Sequence, residues 1–102
     1  MYYTTLVRIG ELQWDDANVA HLEERGITPA DVEALCHQRL GPLVRAGRAG
    51  GGAQERFVVV GPVEGGECLT VVLKPLGGQR YRAVTGWVSM PDERRRWRRA
   101  CS

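Results

Sequence analysis

Arg80 and Arg82 stand one residue apart in the alternating run Arg80-Tyr81-Arg82-Ala83-Val84-Thr85, which ends at Gly86-Trp87. In an extended strand, side chains alternate between faces, so Arg80, Arg82 and Val84 share one face and Tyr81, Ala83 and Thr85 the other. Guanidinium forks match the oxygens of a phosphate in pairs, and two on one face suit an anionic ligand. The competing role is ion pairing with carboxylates of the acidic first half, worth about 0–1 kcal/mol each at a surface.

Were the anion an RNA, as the resemblance described below implies, cleaving it without a metal would require three groups near one phosphodiester. The 2′-hydroxyl must lose a proton, the crowded phosphorane must be stabilised, and the leaving 5′-oxygen must gain a proton. Arg80 and Arg82 are candidates for the second task. Glu55, opening the run Glu55-Arg56-Phe57-Val58-Val59-Val60, is a candidate base or a cross-strand partner for an arginine. His21 is the obvious acid/base, because histidine changes charge near neutrality, although a packed, hydrogen-bonded ring is the commoner fate. Arg56, Lys74, Tyr81, Trp87, Arg94 and Arg98 are candidates for holding RNA. Lys74 is equally suited to a solvated turn before Pro75, while Tyr81 and Trp87 divide between packing and base stacking. His37 reads as a cation at a helix C-terminus, and Trp14 and Trp97 as core anchors.

Other chemistries lack their spacing. Cys36, Cys68 and Cys101 form no C-x-x-C pair, and His21 and His37 stand apart, so no metal site, cofactor or disulfide framework is expected. Gly50-Gly51-Gly52 does not join a strand to a helix with phosphate-loop spacing.

The elements that must position these residues are legible in outline. Leu6 to Trp14 reads as a first strand. Asp15 or Asp16 caps a short helix carrying Val19 and Leu22 and ending at Gly26. Thr28 caps the next helix, with Pro29 at its first position, Asp31 completing a capping-box variant, and Ile27 and Val32 as a hydrophobic staple. Its buried stripe is Val32, Leu35 and Cys36, and it stops before Gly41-Pro42. Leu43-Val44-Arg45 reads as a short edge strand, Arg48 to Gln54 as a glycine-rich loop, and Glu55–Val60, Cys68–Lys74 and Arg80–Thr85 as strands joined by turns at Gly65-Gly66 and Gly77-Gly78. Ser89 is the expected cap of a terminal helix, with Asp92 at its third position and Met90, Trp97 and Cys101 as its docking stripe. Arg95 and Arg99 then point away, with Arg94 and Arg98 flanking the stripe. The expected fold is α+β, one domain over 1–102, in the order β-α-α-β-β-β-β-α with an antiparallel sheet packed against helices.

Composition agrees with one soluble domain. The chain has 102 residues, 43% hydrophobic and 25% charged. No apolar run approaches the roughly 18 residues of a membrane helix, and the first residues lack a secretory pattern, so a cytoplasmic protein without a membrane partner is expected. The net charge of +2 is unevenly spread. Residues 1–38 hold two arginines against seven acids, and residues 74–102 hold eight basic residues against Asp92 and Glu93. The second half therefore attracts phosphates or an acidic partner.

Taken in order, these residues resemble a known family. Trp14, Asn18, His21-Leu22, Arg25-Gly26-Ile27-Thr28 and Asp31-Val32-Glu33 are similar to the front of BrnT-like toxins, small members of the RelE-like superfamily in bacterial type II toxin–antitoxin systems. Glu55-Arg56-Phe57, Gly61, Leu69-Thr70-Val71-Val72, Arg80 to Thr85 and Glu93 to Trp97 continue the similarity across about residues 12–98. The resemblance implies a sheet with helices on one side and a ribonuclease that arrests translation. It also implies a cognate antitoxin, often of ribbon-helix-helix type, in a hetero-oligomer or beside a toxin homodimer. Family members commonly carry an arginine in a Thr-Ala-Arg or Ser-Ala-Arg turn after the last strand. Here the turn is Thr85-Gly86-Trp87, so Trp87 replaces that cation. A relative that has lost catalysis but still binds RNA or a protein is the alternative function.

Overall fold

The computed structural model describes residues 2–3, 9–37, 43–48, 55–63 and 67–101. The fold is α+β, with elements β1 (Tyr2–Tyr3), β2 (Glu11–Gln13), α1 (Asp16–Glu23), α2 (Pro29–Cys36), β3 (Leu43–Arg48), β4 (Glu55–Pro62), β5 (Cys68–Gly77), β6 (Arg80–Val88) and α3 (Pro91–Cys101). The six strands form one sheet in the order β1-β3-β4-β5-β6-β2. β3 to β6 form an antiparallel meander, but β2 lies parallel to β6, pairing Glu11, Leu12 and Gln13 with Arg80, Tyr81 and Arg82. The sheet is therefore mixed, not wholly antiparallel, and the first strand is shorter than the expected Leu6–Trp14. Residues 4–8 lie outside the described residues, as do the expected turn at Gly65-Gly66, the loop after Arg48 and the stop at Gly41-Pro42.

Alternation sorts the sheet into two faces. Phe57, Val59, Leu69, Val71, Leu73, Tyr81 and Ala83 point inward and, with Leu12, pack against Leu22 of α1, Ile27, and Val32, Leu35 and Cys36 of α2. Phe57 and Tyr81 meet edge to face, their centroids 5.6 Å apart. The expected stripe of α2 is buried as read, and Thr28 and Asp31 form the expected reciprocal cap. Asp15 caps α1, with Asn18 as its reciprocal partner. Gly26 ends the turn at φ 76°, where an L side chain is strained, and Ile27 N–H donates to Leu22 O across it. In α1, Asn18 rather than Val19 is the buried companion of Leu22.

α3 lies on the opposite side of the sheet. Thr70 and Trp87 alternate with the inward Val71 and Gly86, and both connect to α3 or its approach. Thr70 Oγ1 bonds Ser89 Oγ at 2.8 Å, and Trp87 Nε1 donates to Glu93 Oε1 at 3.0 Å. The helices therefore sandwich the sheet, whereas the resemblance implied one covered side. Ser89 is consumed by Thr70 and does not cap α3. Met90 takes that place, its N–H donating to Glu93 Oε1 at 2.7 Å. Met90 is consequently 60% exposed instead of docking, and Trp97 is the half-buried anchor.

Trp97 Nε1 is buried and, among the described residues, has no hydrogen-bond partner. A buried donor left unmade costs about 1–3 kcal/mol, while its ring still contributes packing. Trp97→Phe is expected to match or exceed the parent's stability by up to about 1 kcal/mol in urea melts. A loss above 2 kcal/mol would mean that the indole nitrogen is satisfied.

Candidate nucleic-acid interface on the outer sheet face

Two bulges shape the strands that carry the cationic residues. Leu73 pairs with Ala83 and Val72 with Thr85, leaving Val84 as an extra residue of β6. On β5 the register also shifts between Pro75 and Gly77, the irregularity beside which a proline without an N–H is tolerated. Between the bulges, Lys74 lies directly opposite Arg82. Arg56 precedes the inward Phe57, so it faces outward one strand beyond Lys74. Arg80 is exposed one turn of the pleat away. Four cations from three adjacent strands, about 5 Å apart across the sheet, thus share the face that α1 and α2 do not cover.

α3 is tied down at the other end of this face, where Thr70 holds Ser89 and Trp87 holds Glu93, and it packs chiefly against β4. Thr70 and Lys74 are four residues apart along β5, which places the cationic row about 13 Å from the helix foot. The cross-strand pair Val58 and Val72, both half-buried, lies between them. Two half-buried valines thus separate the cationic row from the end of the face that carries Thr70.

Arg82 has a partner within the chain. Its Nη1 and Nη2 meet Asp15 Oδ2 and Oδ1, the second contact at 3.2 Å. The Arg82 hydrogen bond, helped by the Asn18 N–H, holds the Asp15 carboxyl down at about 2. Asp15 therefore has two tasks, capping α1 and occupying the guanidinium that a phosphate would use. The stabilisation from this pair is fully present above pH 3.8, the carboxyl's ordinary value, and is lost as pH falls towards 2. Asp15→Asn, which keeps a capping side chain, is expected to flatten the acid limb of a stability–pH curve between pH 4 and pH 2. An unchanged limb would show that the pair does not persist in solution.

The remaining candidates are dispersed. Tyr81 is a core residue, 8% exposed and turned to the inner face, which corrects its proposed contact with RNA. His21 Nε2 lies 3.2 Å from Thr85 Oγ1, beside β6 but three residues beyond Arg82. Trp87 is half-buried at the foot of α3 with its indole N–H committed to Glu93. Arg94 and Arg98 flank Cys68, whose thiol is pushed up by burial while the two guanidiniums draw it down. They thus stand at the far side of α3 from the cationic row. Glu55 opens β4 opposite Arg48, and its side chain lies outside the described residues. Lys74 and Arg80 form no ion pair with a described acid.

Asn18 is the positioning residue that sequence reading missed. It is 3% exposed, and its Nδ2 donates to Gln13 O at 3.0 Å and Ala83 O at 3.1 Å. β2 ends at Gln13, so Asn18 supplies the next rung along the edge of β6 and seats α1 there. The available signal was the Asp15-x-x-Asn18 spacing, a reciprocal-cap pattern like that of Thr28 and Asp31. No family model, curated protein or solved structure matches the chain significantly.

Proposed function

We propose that this protein is an RNA-directed toxin resembling the BrnT-like members of the RelE-like superfamily, with the open half of its outer sheet face as the RNA surface. The observation that carries this reading is the shared outward face of Arg56, Lys74, Arg80 and Arg82 beside the half-buried pair Val58 and Val72. Single-stranded RNA needs such a pairing, cations for its phosphates and apolar surface for unstacked bases. Its partners under this reading are RNA and a cognate antitoxin that covers the basic face, and its setting is the cytoplasm. Among the described residues no helix is long and apolar enough to cross a membrane.

In cleavage, Arg80 and Arg82 would stabilise the phosphorane and His21 would move a proton, with Glu55 as the alternative base. One specific observation favours the second reading, a relative that binds RNA without cutting it. His21 is attached near Thr85, about 10 Å along the strand from Arg82, while proton transfer needs contact near 3 Å. Purified protein incubated with total RNA in chelator separates the two readings. Cleavage that disappears in Arg80→Ala, whose guanidinium forms no ion pair with a described acid, supports the toxin nuclease. Intact RNA with salt-sensitive retention supports the binding relative. No retention at low salt rejects both.

A further inference from the structure

The two flanks of the short edge strand β2 are tied to α2 through one pair of side chains. After the strand, Trp14 Nε1 donates to Glu33 Oε2 at 3.0 Å. Before it, His37 Nε2 lies 3.1 Å from Ile9 O, and His37 Nδ1 lies 3.2 Å from Glu33 Oε1. A carbonyl and a carboxylate only accept hydrogen bonds, and a neutral imidazole carries a single N–H. The ring therefore satisfies both contacts only as the imidazolium. Its position at the C-terminal end of α2, where the His37 backbone N–H meets Glu33 O at 3.0 Å, favours that cation.

We infer that His37 and Glu33 form a proton-operated clasp on β2. With the ring doubly protonated, Ile9 and Trp14 are both held to α2. When one proton leaves, the remaining N–H serves Ile9 O or Glu33, and the other contact sets two lone pairs against each other. Histidine changes charge between about pH 5 and pH 8, so the clasp is complete on the acid side of that range and loosens as pH rises through it. Both side chains are partly exposed, 39% for His37 and 42% for Glu33, so the proton exchanges directly with solvent. Neither forms a second ion pair with a described residue. Cys36, beside His37, stays a neutral thiol, pushed up to about 12 by burial and by Glu33. The β4 side chains on the α2 side, Phe57 and Val59, are apolar, and Glu11 of β2 is exposed where its neighbour Leu12 is buried. β2 itself is held to β6 by three residue pairs, Glu11 to Gln13 against Arg80 to Arg82, and by Gly10 and Glu11 N–H donating to Gln79 O. The clasp thus sets how firmly the edge of the cationic strand is closed, whatever ligand that strand takes.

The test is amide hydrogen exchange followed by NMR at pH values of about 5.5, 6.5 and 7.5, spanning the histidine range, with each rate corrected for its intrinsic pH dependence. Protection of Gly10 and Glu11, taken relative to Val59 and Val71 in the central strands, is expected to fall about fivefold across that range, the effect of one ordinary hydrogen bond. His37→Gln keeps a donor for Ile9 O but does not titrate, and is expected to show no fall. Glu33→Gln is expected to retain protection at the upper pH. Its amide nitrogen donates to the bare Nδ1 of a neutral ring, while its oxygen still accepts from Trp14. A parent ratio that does not change with pH overturns the inference. A fall that persists in His37→Gln also overturns it, because His21 or another group would then be titrating. So does a fall in Glu33→Gln as large as the parent's, which would leave the carboxylate with no part in the clasp.

Discussion

Asn18→Ala is expected to destabilise the fold by about 3 kcal/mol, a large share of the 5–15 kcal/mol typical of a domain. The side chain is nearly inaccessible, and its three hydrogen bonds join parts of the chain that nothing else joins in the same way. Removing it leaves Gln13 O, Ala83 O and the Asp15 N–H without their partner, the Ala83 bond being fully buried, so the cost exceeds that of three exposed bonds. The expected fall in thermal midpoint is roughly 15 °C. Asn18→Asp is expected to be at least as damaging, because two carbonyl oxygens would face a carboxylate where they now meet an amide. Chemical denaturation followed by far-UV circular dichroism decides the matter. A cost below 1 kcal/mol for Asn18→Ala would mean that α1 is seated by Leu22 alone.

The same residue shows where sequence reading reaches its limit. α2 was legible because its signals are local: Thr28, Pro29 and Asp31 specify the start, and Ile27 and Val32 bury beside it. The meander was legible because period-two alternation and the Gly77-Gly78 turn specify it, and Gly77, Gly78 and Gln79 do adopt positive φ. Asn18 was not, since its partners are backbone oxygens, one of them 65 residues away. The parallel placement of β2 was equally hidden, because it depends on Gln79 O accepting from Gly10 N and Glu11 N across the molecule. At α3 the local signal was overridden by a distant contact. Ser89 with Asp92 was the expected cap, but Thr70, distant in sequence, takes the serine hydroxyl, and the Met90 N–H is met by Glu93 instead.

The cationic row was half legible. Alternation places Arg80 and Arg82 together, but adding Lys74 and Arg56 requires the register of three strands and the bulge that sets Lys74 against Arg82. Charge asymmetry between the halves of the chain foretold that some arginine would meet an acid, and gave no means of choosing Asp15 for Arg82. That pair makes Arg82 an ambiguous probe of ligand binding, because replacing it also removes the ion pair that ties β6 to the residue capping α1. Lys74 is the cleaner choice. Its half-buried stem lies on the sheet, and its ammonium forms no ion pair with a described acid.

Lys74→Glu is expected to weaken binding of a 12-nucleotide single-stranded RNA about 65-fold at 50 mM salt, and about 14-fold at 150 mM, relative to an effect that vanishes at about 1 M. The substitution removes one phosphate contact and adds one repulsion, an effective change of two contacts. Single-stranded binding falls with a logarithmic salt slope of about 0.7 per contact, which yields both figures and their ratio. Lys74→Gln, which only removes the contact, should show the square root of each effect. Unfolding cannot account for the loss, since a glutamate opposite Arg82 makes a favourable cross-strand pair of about 0.2–1 kcal/mol. That new pair would also withdraw Arg82 from the phosphate, so the measured effect is expected at or above these values. A loss under threefold, or one that does not vary with salt, would place the RNA somewhere other than this face.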